Sequence, residues 1–309
     1  MPLPTWRTTP RVVETGTAGG KGDKETLEIR DLTTGRRGEA VRIPSLLIAA
    51  VLLVWPTWAS GQPKDNAAYA SVVAIAVATG TDFQGVASGV GFVVRADGVV
   101  LTAAHVVKQA VNDAAHTHIL ALWSPSPSDK REYFSASVVC ATPPSKAAEV
   151  ADRQAKDVAV LRLAPVPSTD WPEGWGFAGA PGSVWTAHRQ ALPKFAPLPL
   201  AERGPQPGMA VRMPGYVASV PRSSVSSGTV GRLRVAKDGT TLFEVRTQGH
   251  RASSGSPVLG PNDQVVGMWS WDNLTDDTLG MAEGVDALHR PCGKGWEMHR
   301  PERSSGGGP

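Results

Sequence analysis

The chain of 309 residues holds seven histidines, and few of them stand where chemistry could use them. Two serines, Ser253 and Ser254, lie side by side in "HRASSGSPVLG" (250–260), ahead of a Gly-Ser-Pro turn. A serine hydroxyl is a weak nucleophile at neutral pH. It needs a base within hydrogen-bond reach and a third group to orient that base. The best-placed histidine is His105 in "VVLTAAHVV", at the end of an apolar stretch where Ala103 and Ala104 let the chain turn tightly. His116, His118, His188, His250, His289 and His299 read as polar or loop residues with no supporting pattern. Asp157 opens "DVAVLRL", and an acid at the mouth of a buried strand is costly unless it is paired. Alone, His105 reads as a core histidine and Asp157 as a turn acid. Together with the serine turn, in the chain order His, Asp, Ser, they are the parts of a nucleophilic site. Subtilisin-like and α/β-hydrolase sites use other orders.

The elements that must position these residues read as short strands. "SVVAIAVAT" (71–79) is apolar and β-branched, and two apolar runs over 85–107 are split by Ala96-Asp97-Gly98. Asp-Gly between such runs is a strong hairpin signal. Strand patterns continue at 118–123, 133–141 and 157–165. They resume at 209–217, 227–236, 241–247, 256–260, 264–271 and 280–288. Residues 166–208, rich in Pro, Gly and Trp, read as long loops crossing between two halves. Many short strands with regular turn signals point to an all-β sandwich or barrel. Cys140 and Cys292 are the only cysteines, and the sequence leaves open whether they pair.

Composition excludes several classes. The net charge of +3 is too small to argue for nucleic acid, and no basic stripe interleaves with aromatics. There is no P-loop, dinucleotide turn, CxxC or HExxH, so neither a cofactor nor a metal is expected. Residues 1–40 are polar and mixed in charge, and are expected to be disordered or an artefact of a start codon placed too early. In 41–61, Arg42 precedes an apolar run from Leu46 to Trp55, and small residues Ala59, Ser60 and Gly61 follow. That is the layout of a secretory signal. The run is shorter than the ~20 residues that span a bilayer. The expectation is therefore an exported protein, periplasmic or secreted, held at a membrane only if the 43–59 segment stays uncleaved. Residues 291–309 read as a disordered polar tail.

The stretches "SGVGFVVRADGVVLTAAHVV", "DVAVLRL" and "ASSGSPV" together resemble a trypsin-like serine protease of the chymotrypsin fold, closest in style to the bacterial HtrA-type catalytic domain without its PDZ part. The resemblance implies two six-stranded antiparallel β-barrels with the site between them, over residues 66–290. Barrel one would run over about 66–166 and barrel two over about 208–290. It implies His105, Asp157 and Ser254 as the catalytic residues and an oxyanion hole from the N–H groups of Ala252 and Ser254. It further implies Ser270 as support for Asp157, and Gln248, Trp271, Asp272 and Gly284 as the substrate pocket. The partner would be a polypeptide substrate. The serine motif departs from the family pattern, since Ala252 stands for a glycine and Ser253 for an Asp or Asn. Those departures, with Asp272 at a usual glycine position, favour a second reading, a catalytically inactive relative that binds peptides or a partner protein. The intact His, Asp and Ser set opposes it.

Overall fold

The computed structural model describes residues 68–80, 84–124, 131–142, 156–167, 171, 174–176, 184–217, 220–248, 253–272, 276 and 278–293. The segments 1–40, 41–61 and 43–59, and the tail from 294 onward, lie outside the described residues.

Valine-rich, β-branched segments of four to twelve residues, cut by glycine turns, form strands rather than helices because their side chains pack well on a pleated surface. In the first half these strands are β1 (Val72–Thr79), β2 (Gln84–Arg95), β3 (Val99–Thr102), β4 (Thr117–Trp123), β5 (Glu132–Ala141) and β6 (Ala159–Ala164). They pair in the order β4-β1-β2-β3-β6-β5, and β4 closes back on β5. The turn between β2 and β3 is the expected hairpin: Gly98 has φ +85°, and Asp97 is bound by Arg95 and Arg162 at its tip. Two short strands, β7 (Gly174–Gly176) and β8 (Val184–Ala187), extend this sheet, with β8 parallel to β5.

The second half forms β9 (Ala210–Val217), β10 (Val220–Val235), β11 (Thr241–Gln248), β12 (Pro257–Leu259), β13 (Val265–Asp272) and β14 (Leu279–Gly284). They make a closed antiparallel barrel in the order β10-β11-β14-β13-β12-β9. The two six-stranded barrels implied by the resemblance are thus both present. They share apolar packing: Leu259, Val265, Met268, Ala287 and Leu288 join the core built on β1–β6.

Four features differ from the sequence reading. Residues 166–208 are not all loop, since β7 and β8 lie within them; three or four residues are too few to show an alternating pattern. Strand β10 begins at Val220 rather than 227, because the polar "VPRSSVSS" is zipped to β9 by backbone pairing (Ser224 opposite Gly215, Ser226 opposite Met213). The last strand ends at Gly284, and Val285–His289 forms a short helix, α2. A second unexpected helix, α1 (Lys108–Asn112), follows His105. Cys140 on β5 is disulfide-bonded to Cys292, just beyond α2, with the Cα atoms 6.0 Å apart. That bond fastens the end of the second barrel's chain to the first.

Candidate active site

His105 sits three residues beyond the fully buried β3, in the tight turn that leads to α1. Asp157 stands two residues ahead of β6, the neighbour of β3. The β3–β6 pairing therefore brings their two flanking segments together. His105 Nδ1 lies 2.6 Å from Asp157 Oδ2, and the His105 backbone N–H donates to Asp157 Oδ1 at 2.9 Å. The Asp157 carbonyl accepts from the Ala104 N–H at 3.3 Å. Asp157 is held on both its side chain and its main chain by the histidine turn. The carboxylate is buried, whereas the imidazole is 35% exposed, so the ring can meet a bound molecule and its partner cannot.

Barrel two adds a third ligand to the same carboxylate. Ser270 on β13 is fully buried and donates its hydroxyl to Asp157 Oδ2 at 2.5 Å. Burial opposes ionisation of Asp157. The hydrogen bonds from His105 and Ser270, with the attraction of the His105 ring, outweigh it and hold the carboxyl below the ordinary range. A carboxylate fixed in this way keeps Nδ1 of His105 as the donor and leaves the opposite nitrogen, Nε2, to accept a proton.

The serine turn is braced against barrel one. Gly255 has φ +88°, and a Cβ there would come within 1.9 Å of the Val90 carbonyl oxygen and 2.7 Å of Thr102 Oγ1. Only glycine fits this backbone and this approach. The turn is then pinned: Val90 N–H donates to Ser254 O at 2.8 Å, Gly255 N–H to Trp269 O at 2.7 Å, and Ser256 N–H to Ser253 O at 2.9 Å. The Val90 carbonyl is in turn held by the Thr102 hydroxyl at 2.6 Å. The Ser254 hydroxyl donates to the main-chain oxygen of Ser270 at 3.1 Å. Ser254, Ser270, Asp157 and His105 thus form one connected cluster, in which Ser254 reaches Asp157 through Ser270 rather than bonding His105 directly.

The other sequence candidates fall differently. Ala252 lies outside the described residues, as do the side chains of Gln248 and Asp272. Trp271 is buried beside Leu242 and Met281 in a small apolar cluster, and its backbone pairs with Met281. Gly284 is opposite Gly267 and caps α2, where a Cβ would strike Asp286 Oδ1 at 2.5 Å. The residue facing Asp272 across the ladder is Gly280, which is denied a side chain by the Trp269 indole 2.0 Å from its would-be Cβ.

Among the other described histidines, His116 bonds Asp113 and His289 bonds Ala201 O. Two are not in the loop settings the sequence suggested: His118, and His289, which ends α2. His118 lies within β4 and meets Trp171 edge-on. His188 packs on Phe134 and pairs with Glu132 at 3.2 Å. His250 and His299 lie outside the described residues. Sequence reasoning missed Glu283, which accepts the Asp157 backbone N–H. A glutamate between Ala282 and Gly284 carries no signal that would have marked it.

The profile of the trypsin-like peptidase domain family matches residues 89–268, more than half of the chain. No curated protein sequence matches. Among solved structures, the active form of the Rv3671c protease from M. tuberculosis is similar, at 21% identity and a TM-score of 0.48, with 73% of this chain and 81% of that one covered. Deg5 is similar at 16% identity and a TM-score of 0.48, covering 72% and 87%. An inactive Rv3671c variant from M. tuberculosis H37Rv gives 19% and 0.45, covering 74% and 87%.

Proposed function

Because the chain belongs to the trypsin-like peptidase family, we propose that it is an exported serine endopeptidase that cleaves polypeptides through an acyl-enzyme on Ser254. The observation that carries this reading is the hydrogen-bonded set on Asp157. One carboxylate takes His105 Nδ1 and Ser270 Oγ, and Ser254 hangs from the same Ser270. Rotation about the Ser254 Cα–Cβ bond carries its hydroxyl from Ser270 O toward His105. There Nε2 removes the proton as the oxygen attacks the scissile carbonyl, and the imidazolium that forms is stabilised by Asp157. The same proton then passes to the leaving amine. The N–H groups of Ser254 and Ala252 are assigned as the donors to the developing oxyanion. Water repeats the sequence to release the acid. The pocket residues implied by the family resemblance, Gln248, Trp271, Asp272 and Gly284, favour small or medium apolar side chains, and an extended substrate adds as a strand on the Trp271 backbone. Export is supported by the basic-apolar-small order of 41–61 and by the Cys140–Cys292 disulfide, which favours an oxidising compartment.

One observation favours the second reading, an inactive domain that binds peptides: the Ser254 hydroxyl rests on Ser270 O. A fluorophosphonate probe, followed by mass mapping of the labelled peptide and a casein-hydrolysis assay, separates the two. Labelling on Ser254 with hydrolysis is expected. Folded protein that neither labels nor hydrolyses, yet binds peptides, would overturn the endopeptidase reading. N-terminal sequencing of protein from the native host tests export, with a mature start between Ser60 and Ala67 expected.

A further inference from the structure

Asp157 lies at the end of barrel one, yet barrel two holds it from behind at two places. Ser270 on β13 donates to its carboxylate, and Glu283 on the adjacent strand β14 accepts its backbone N–H through Oε1 at 3.1 Å. Glu283 is wholly buried and sits opposite Met268 on β13 and Leu242 on β11. A carboxyl in such a place needs a reason, because its burial is unfavourable and no cation among the described residues compensates it.

We propose that Glu283 is a positioning residue for peptide hydrolysis: it clamps the main chain of Asp157 while Ser270 clamps the side chain, and the two together fix the carboxylate on which His105 is aligned. The inference rests on the triad reading above.

The surroundings dictate the form in which Glu283 does this. Burial, and then the charge of Asp157, push its carboxyl up to about 8, against the pull of the Asp157 N–H. The more distant Asp238, in the β10–β11 turn, and Asp286, in α2, push the same way. Lys156, beside Asp157, brings no relief: its ammonium donates to Arg290 O at 3.1 Å, and its N–H goes to Asp238. On β11, Glu244 is taken up by Arg232 and Arg234. Met268 and Ser270, facing from β13, are uncharged, and His105 lies on the far side of Asp157. Glu283 Oε2 has no hydrogen-bond partner among the described residues, which leaves it as the oxygen that carries the proton. At neutral pH Glu283 is therefore the uncharged acid. Its Oε1 accepts from the backbone while Asp157, a few atoms away, stays ionised. Once Glu283 ionises, two buried anions stand back to back, the clamp opens, and His105 loses its fixed partner.

The test follows the low-field proton resonance of His105 Nδ1–H, which reports the bond to Asp157 without requiring turnover, together with kcat between pH 6 and 10. In the native protein the resonance should change with a midpoint near 8, and kcat should fall over the same range. Glu283→Gln keeps an acceptor for the Asp157 N–H but cannot ionise. It should leave neutral kcat within about threefold, and both the resonance and the rate should be flat to pH 10. Glu283→Ala should lower kcat about tenfold or more at every pH with KM kept. A Gln variant that titrates like the native protein overturns the proposal, as does an Ala variant with native kcat. If Glu283→Ala does not fold, the Gln variant alone decides. Absent hydrolysis and probe labelling, with the resonance behaving as described, would sink the endopeptidase reading and leave the Glu283 clamp standing.

Discussion

The two barrels serve the site by different means. On the reading proposed above, barrel one supplies the proton-handling pair, His105 and Asp157, on chain segments flanking two paired, buried strands. On the same reading, barrel two supplies the nucleophile, Ser254 on its turn, and the groups proposed to align the pair, Ser270 on β13 and Glu283 on β14. Charge sits on one side and alignment on the other. The site therefore depends on the docking of the two barrels, and on Val90 and Thr102, which carry barrel one's backbone up to the serine turn. The comparison predicts that removing a reacting group is close to all-or-none, whereas removing an aligning group is graded.

The largest effect should come from the nucleophile. Ser254→Ala should lower kcat on the order of a million-fold and abolish probe labelling, while Ser253→Ala keeps most of both. Labelling that survives at Ser254→Ala and disappears at Ser253→Ala would shift the nucleophile by one residue. Next is the acid of barrel one. Asp157→Asn keeps the shape but favours the wrong histidine tautomer, and should cost roughly ten-thousand-fold in kcat, with KM little changed. A loss of tenfold or less would mean that Asp157 only supports structure, and the division between the barrels would fail.

The two back-to-back acids give a third contrast, read in stability against pH. Asp157 is held below its ordinary value, so it stabilises the fold above the carboxylate range, and that stability is lost as pH falls through its native value. Glu283 is raised from 4.5 to about 8. The unfolded chain releases this proton from about pH 4.5 while the native protein keeps it, so stability falls as pH rises through that window, by about 1.4 kcal/mol per pH unit. Denaturant midpoints from pH 3 to 9 should therefore drop between about pH 4.5 and 8 in the native protein and lose that slope in Glu283→Gln. An unchanged slope over that window in the variant would show that Glu283 is ionised in the fold.

A fourth test concerns the seam itself. Gly255→Ala places a Cβ against the Val90 carbonyl at φ +88° and should cost about 3–4 kcal/mol. Gly239, in the β10–β11 turn, has φ +83° but nothing within 4 Å, so Gly239→Ala should cost only about 1 kcal/mol. Equal costs in urea unfolding would mean that the serine turn is not braced by barrel one.

The same asymmetry governs what the sequence reveals. Barrel one's residues are legible because their neighbours are extreme: His105 and Asp157 flank runs of buried valine and leucine, and Asp97-Gly98 marks the hairpin between β2 and β3. A polar residue at such a border stands out. Barrel two's contributions depend on which strands meet and in what register, which one strand's pattern does not contain. Ser270 is reached only through a family resemblance, and Glu283 on β14 carries no signal of its own. The polar start of β10 was hidden for a related reason: its partner β9, not its own composition, makes it a strand. Helix α2 was read as strand because five residues give too little length for a helical period to show.

The smallest effect, and the sharpest check on graded alignment, belongs to Ser270. Its hydroxyl donates to the Asp157 carboxylate alongside Nδ1 and the backbone N–H of His105. Ser270→Ala removes one charge-assisted bond, worth about 1.5–3 kcal/mol, and leaves both histidine contacts in place. The main-chain oxygen that receives Ser254 also survives, because it is not part of the side chain. The substitution should therefore cost about 10- to 100-fold in kcat, with KM unchanged, and should raise the acid limb of the pH profile, since Asp157 loses a hydrogen bond that lowers it. A loss as large as that of Asp157→Asn would mean that Ser270 is indispensable to the acid, and the two barrels would then share the proton-handling role instead of dividing it from alignment.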